Sequence, residues 1–144
     1  MPGGYAALLD VLGFSALVAA DAAGEGVERY LNCFQRAKEA TGVNYVIFSD
    51  SIVLTVGGDG PDSLLAIAGA CSRLMSELLI EHIPIRGAIS QGAFVRSTVG
   101  QNVFVAGRAV IDAYQFEQVQ DWTGIMIAPS ALAGLATELG SSSA

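Results

Sequence analysis

The chain has 144 residues, 52% of them apolar, with a mean hydropathy of +0.51 and a net charge of −7. That length suits a single domain, 1–144, with its own core, and the charge argues against a basic surface that holds a nucleic-acid backbone. It leaves room for a nucleotide, because metal ions bridge acids to phosphates.

No apolar run reaches the ~18 residues of a membrane span, and no basic segment precedes an apolar one at the start. The expectation is a cytoplasmic protein without a membrane partner. So apolar a surface is usually covered, which predicts an oligomer. Lys38 is the only lysine, beside Arg29, Arg36, Arg73, Arg86, Arg96 and Arg108, so any cationic phosphate contact comes from that short set or from a second subunit. Cys33 and Cys71 form no CxxC and fall among apolar residues, which predicts buried, reduced thiols.

In chain order, Tyr5–Val11 (YAALLDV) reads as a buried strand with Asp10 near its end. Gly13-Phe14-Ser15 turns the chain, and Ser15 is placed to cap a helix over 16–20. Val27, Tyr30, Leu31, Phe34 and Ala37 recur at helical spacing and predict a helix over 27–40, ended by Gly42. Strands follow at 44–48 and 52–56, with a tight turn at Ser49-Asp50 between them. After the 57–61 loop, Asp62 or Ser63 caps a long helix that Pro84 stops. A strand is expected over 85–91, a loop or hairpin arm over 94–100, a helix over 105–118 and a strand over 123–127, with a short helix from Pro129. Residues 135–144 read as a frayed or trimmed tail. The order contains βαββαβ, the ferredoxin-like split arrangement, an α/β (α+β) architecture with a mostly antiparallel sheet.

In such a sheet the first strand pairs with the strand leaving the central hairpin. Asp10 then stands at the end of one strand and Asp50 at the tip of the neighbouring hairpin, so both carboxylates reach one edge. Two hard oxygen ligands there suit Mg²⁺ or Mn²⁺, and two divalent ions per site are the usual device for phosphoryl chemistry. The backbone amides of Gly13, Phe14 and Ser15, at a helix start, are a candidate phosphate contact. Taken alone, Asp50 is a turn residue; paired with an acid inside an apolar strand, it reads as a metal ligand. Asp112 and Glu117 read as surface acids, and His82 as a helix-end cation.

Leu8–Val18 (LLDVLGFSALV) resembles the first metal motif of class III nucleotidyl cyclases, and Tyr45–Thr55 (YVIFSDSIVLT) their second. Ile83–Gly92 (IPIRGAISQG) is similar to the strand that follows, and Val105–Gln118 (VAGRAVIDAYQFEQ) to the late active-site helix. The resemblance implies that Asp10 and Asp50 are the metal ligands. It implies that the ribose 3′-hydroxyl of a nucleoside triphosphate attacks the α-phosphorus and pyrophosphate leaves. Purine-specific members carry a Lys six residues before the hairpin acid, where this chain has Asn44; their second base-reading position falls near Phe104. The late helix of the family carries an Asn and an Arg, where Ile111 and Gln115 stand here.

Residues 42–55 and GRAVIDAYQFE resemble instead the pyrimidine cyclases of bacterial anti-phage (Pycsar) systems. That resemblance implies a homodimer with active sites at its interface, and UTP as favoured substrate with CTP as the alternative. It also implies cyclic UMP or cyclic CMP as the product, read by a cyclic-nucleotide-activated effector. Arg108, with Arg96 from a loop as the rival, is the expected substitute for the missing transition-state Arg. Asn44, Tyr45, Phe104 and Tyr114 are the candidate base contacts. The missing Asn/Arg pair leaves a second reading open, a degenerate cyclase domain kept as a nucleotide-binding or dimerisation module.

Overall fold

The computed structural model describes residues 3–20, 24–37, 42–120 and 122–133. Lys38 and the expected tail over 135–144 lie outside them. The elements are β1 (Gly3–Val11), α1 (Phe14–Ala20), α2 (Glu25–Ala37), β2 (Asn44–Phe48), β3 (Ser51–Gly57), α3 (Pro61–Ile80), β4 (Ile85–Val99), β5 (Asn102–Gly107), α4 (Arg108–Gln118) and β6 (Gly124–Ile127). A last helical turn covers 129–133.

The sheet runs β2-β3-β1-β4-β5, with β6 alongside β4. β1 lies at its centre, antiparallel to both β3 and β4, and β6 is parallel to β4. This is the split βαββαβ order expected from the sequence. A central strand is covered on both faces, which is why YAALLDV carries so few polar residues. Side chains alternate across it. Tyr5, Ala7, Leu9 and Val11 join the large core with Tyr30, Phe34, Ile67, Leu74 and Leu78 of α2 and α3. Ala6 faces the other way, into a smaller cluster with Phe94 and Ala109, beneath α4. Asp10 shares the parity of Ala6 and therefore belongs to the α4 face.

Several expectations shift. Of the two readings of 94–100 the hairpin arm holds, since residues 94–99 are the outer arm of β4, paired with β5 through Arg96↔Val105 and Ser97↔Phe104; Arg96 therefore sits on a strand rather than in a loop. The expected helix over 105–118 begins only at Arg108, because 105–107 complete β5. Gly107 makes that change of direction at φ +148, where a side chain would strike Phe94. The cap of α3 is Gly60 with Pro61 at the first helical position, without a side-chain cap. The Ser63 hydroxyl donates instead to the Gly57 carbonyl at 2.9 Å. α1 starts at Phe14, one residue before the expected cap.

By length and composition α3 passes the test for a membrane-crossing helix, although no apolar run of that length was expected. Its face carrying Leu64, Ile67, Ala70, Cys71, Leu74 and Leu78 is buried in the core. Both cysteines are free and buried, as the sequence indicated.

Candidate active site

Asp10 occupies the penultimate position of β1, directly across the ladder from Ser51, the first residue of β3. Asp50 therefore sits one residue beyond the paired register, in the turn. The Val11 amide donates to the Asp50 carbonyl at 2.9 Å and fastens the turn to the end of β1. The two carboxyl groups stand within hydrogen-bonding reach of each other. Burial, then the nearby Asp50 and Glu117, hold Asp10 above the usual carboxylate range, while Arg86 pulls the other way. The neighbouring acid opposes ionisation of Asp10, and a cation relieves the conflict.

Turn geometry presents Asp50. Ser49 adopts φ +57, a left-handed conformation unusual for a residue with a side chain. Tyr30, on α2, donates its hydroxyl to the Ser49 carbonyl at 3.1 Å. Its ring leans on Phe14, the first residue of α1, with centroids 5.4 Å apart.

On the opposite side of Asp10 lies Arg86. It pairs with Asp10 across the β1/β4 ladder, and its Nη2 is 3.9 Å from Asp10 Oδ2. Its Nε donates to Glu117 Oε1 at 2.9 Å and its Nη1 to the Gln120 carbonyl at 2.7 Å. Gln118 Nε2 donates to the other Glu117 oxygen at 2.6 Å. Glu117 is only 1% exposed, so the surface role expected from the sequence is wrong. Ala109, Ala113 and Glu117 are the buried residues of α4, four apart on one face. That spacing was a sequence signal for the buried acid, and an Arg inside the apolar strand IPIRGAIS was the signal for its partner. Asp112 is half-buried and accepts a hydrogen bond from Ser130.

The remaining expected residues spread over the molecule. Gly13 turns the chain at φ +73 between β1 and α1. Phe14 is half-buried, and the side chain of Ser15 is not described. Asn44 lines a cavity of about 260 Å³ with Gly3, Thr55, Gly57, Phe94, Val95 and Arg96. Tyr45 lies on the other face of β2, where its hydroxyl approaches the Ala37 carbonyl at 3.5 Å. Adjacent residues of a strand point to opposite faces, so these two do not meet in one pocket. Phe104 and Tyr114 are exposed. Arg108 opens α4, nine residues before Glu117, which is about 13 Å along the axis at 1.5 Å per residue. Within one chain it stands well away from the aspartate pair.

No group of three or more His, Cys, Asp or Glu suited to a metal occurs among the described residues. The pair alone still fits divalent ions of the Mg²⁺ type, which bind through one or two carboxylates and take their other ligands from water and substrate phosphates.

No family model and no curated protein sequence matches the chain. Solved structures do. The dimeric guanylyl cyclase domain of the RhoGC fusion protein from the aquatic fungus Blastocladiella emersonii superposes with a TM-score of 0.70 at 14% identity, over 95% of this chain and 85% of that one. The adenylyl cyclase CyaB from P. aeruginosa gives 0.69 at 13%, over 94% and 81%. The fold is that of a class III nucleotidyl cyclase catalytic domain. A third such cyclase, the catalytic core of a rhodopsin-guanylyl cyclase with converted specificity in complex with ATPαS, gives 0.67 at 14%, over 95% and 83%. In this chain the cyclase fold sets the ends of β1 and of the β2–β3 hairpin side by side, the place where Asp10 and Asp50 converge.

Proposed function

We propose that the protein is a nucleotidyl cyclase that converts UTP to 3′,5′-cyclic UMP and pyrophosphate, with CTP as the next-best substrate. The observation that carries this reading is the convergence of Asp10 and Asp50 at the ends of adjacent strands in a cyclase-fold sheet. The two carboxylates would hold divalent ions, Mn²⁺ or Mg²⁺. When bound, such ions lower the pKa of the ribose 3′-hydroxyl and neutralise charge on the leaving pyrophosphate. The new bond joins O3′ to the α-phosphorus. The bond from the α-phosphorus to the bridging oxygen breaks, its electrons leave with pyrophosphate, and the hydroxyl proton passes to solvent. The Gly13–Ser15 segment, directly after the strand that carries Asp10, is the proposed phosphate contact.

Asn44, Thr55 and Arg96 line the cavity proposed for the base. Asn44 is a neutral donor and acceptor, where the purine-reading members of the resembled family have a cation. Arg108 is too far from Asp10 and Asp50 in its own chain, and Phe48, Phe104, Ile111 and Tyr114 expose apolar surface. Both facts support a homodimer in which one subunit completes the other's site. A role as second-messenger synthase in anti-phage signalling, acting through a cyclic-nucleotide-activated effector, follows from the Pycsar resemblance.

The test is incubation of the purified chain with Mn²⁺ and each of the four nucleoside triphosphates, reading pyrophosphate release and the product mass. Cyclic UMP, or cyclic CMP at a lower rate, is expected. Turnover of ATP or GTP alone overturns the pyrimidine assignment. Nucleotide-dependent thermal stabilisation without any turnover replaces the enzyme with a binding module.

A further inference from the structure

Tyr30 stands where the two halves of the candidate metal site meet, yet it belongs to neither motif. Its side chain is 2% exposed. On one side its hydroxyl donates to the carbonyl of Ser49, the residue before Asp50. On another its ring tilts at 55° against Phe14, four residues after Asp10. Phe34, one turn along α2, braces the ring edge-on with centroids 4.9 Å apart. Burial alone would accept a phenylalanine here. The hydroxyl has a separate task, because the carbonyl it engages belongs to a left-handed Ser49, a conformation that persists only where its surroundings hold it. Burial first, then Asp50 and Asp10, push the phenol well above its ordinary pKa, so it stays a donor at any physiological pH.

We propose that Tyr30 is a positioning residue that locks the Ser49–Asp50 turn to the Phe14 segment and so fixes the spacing at which Asp10 and Asp50 grip divalent cations. The inference deepens the cyclase reading and rests on it. Asp10 is set by the β1 ladder, whereas Asp50 lies outside the paired register and depends on its turn. The Val11 amide holds the Asp50 carbonyl from one side. Tyr30 holds the preceding carbonyl from the other. Two successive carbonyls fixed in this way leave the Asp50 side chain little freedom beyond its own rotamer.

The test uses the full chain and Tyr30→Phe, which keeps the ring and removes the hydroxyl. Mn²⁺ binding is measured without nucleotide, by the electron paramagnetic resonance signal of the free ion, and turnover is measured separately. Mn²⁺ affinity and kcat should each fall about tenfold, the usual effect of removing a group that orients a metal ligand. KM for the nucleotide at saturating Mn²⁺ and the melting temperature should stay near wild type. Unchanged Mn²⁺ affinity and kcat in Tyr30→Phe, with Asp50→Asn losing both, overturns the positioning role and leaves the cyclase reading intact. Absence of Mn²⁺ binding and turnover in the wild type removes the reading itself. If Tyr30→Phe melts early, Phe14→Leu removes the ring contact and keeps the hydroxyl; weakened Mn²⁺ binding there supports the lock and unaltered binding refutes it.

Discussion

Arg86 faces Asp10 across the β1/β4 ladder and grips the buried carboxylate of Glu117 at 2.9 Å. It thus joins α4 to the strand that carries the candidate metal ligand. Among the described residues, the Gln118 amide is the one side chain besides Arg86 that reaches the Glu117 carboxylate. Arg86→Met should therefore destabilise the fold by about 3 kcal/mol, the lower end for stranding a buried ion. The double variant Arg86→Met/Glu117→Leu should recover most of that loss, because the acid is removed with its partner. Urea unfolding of the four proteins in the cycle measures the coupling.

A different outcome is expected at the aspartate pair. Burial and Asp50 raise the Asp10 pKa in the folded state above its unfolded value. The folded chain therefore binds more protons than the unfolded chain in the interval between the two values. The stabilisation is fully present below about pH 3.9, and is lost as pH rises through the folded-state value. At neutral pH the metal-free protein carries the repulsion. Asp10→Asn should then raise the melting temperature at pH 7.5, by about 3 °C, while abolishing turnover. Mn²⁺ at a hundred times its Kd should stabilise the wild type by about 2.7 kcal/mol and leave Asp10→Asn and Asp50→Asn unmoved. Thermal melts with and without Mn²⁺ decide it.

Burial pushes the Cys71 thiol up to about 12 and raises Cys33 as well. A thiol held protonated by the fold contributes stability that is complete below about pH 8.5, its unfolded value, and is lost as pH climbs toward 12. Both thiols should be inert to Ellman's reagent in the native protein at pH 8, because the thiolate is the reactive form. Both should react at once in guanidinium. Stability measured by urea unfolding should decline from pH 9 upward, and less so in Cys71→Ala measured against its own neutral-pH value.

The frame of this fold was legible because its signals were local. The apolar run of β1, the Ser49-Asp50 turn between two strands and the helical spacing of α2 each fixed an element within a few residues. What stayed hidden was set by neighbours distant in sequence. Residues 105–107 read as the start of a helix, and they complete β5 only because the outer arm of β4 supplies their partners. Glu117 read as a solvated acid because its burial is joined to Arg86, thirty-one residues earlier, and the two local signals have to be read together. Asp10 and Asp50 could be paired in advance because strand order alone brings them together. Tyr45 could not be placed, since a one-residue shift in register turns a side chain to the other face.

That shift of face separates the two candidate base readers and makes them experimentally distinct. Asn44 opens into the cavity with Thr55 and Arg96, whereas Tyr45 packs toward α2 and approaches the Ala37 carbonyl. Asn44→Ala removes a hydrogen-bonding side chain from the proposed base pocket. It should raise KM for UTP about tenfold, equivalent to 1.4 kcal/mol, with kcat at saturating nucleotide little changed. Thr55, 2% exposed and facing Asn44 across the β2/β3 ladder, should behave similarly as Thr55→Val, since its shape is kept and its hydroxyl lost. Tyr45→Phe should leave KM alone and alter only stability, by less than about 1 kcal/mol for so long a hydrogen bond. Steady-state kinetics on the three variants settles the assignment: a KM effect confined to Tyr45→Phe would put the base on the α2 side of β2 and empty the Asn44 cavity of its proposed role.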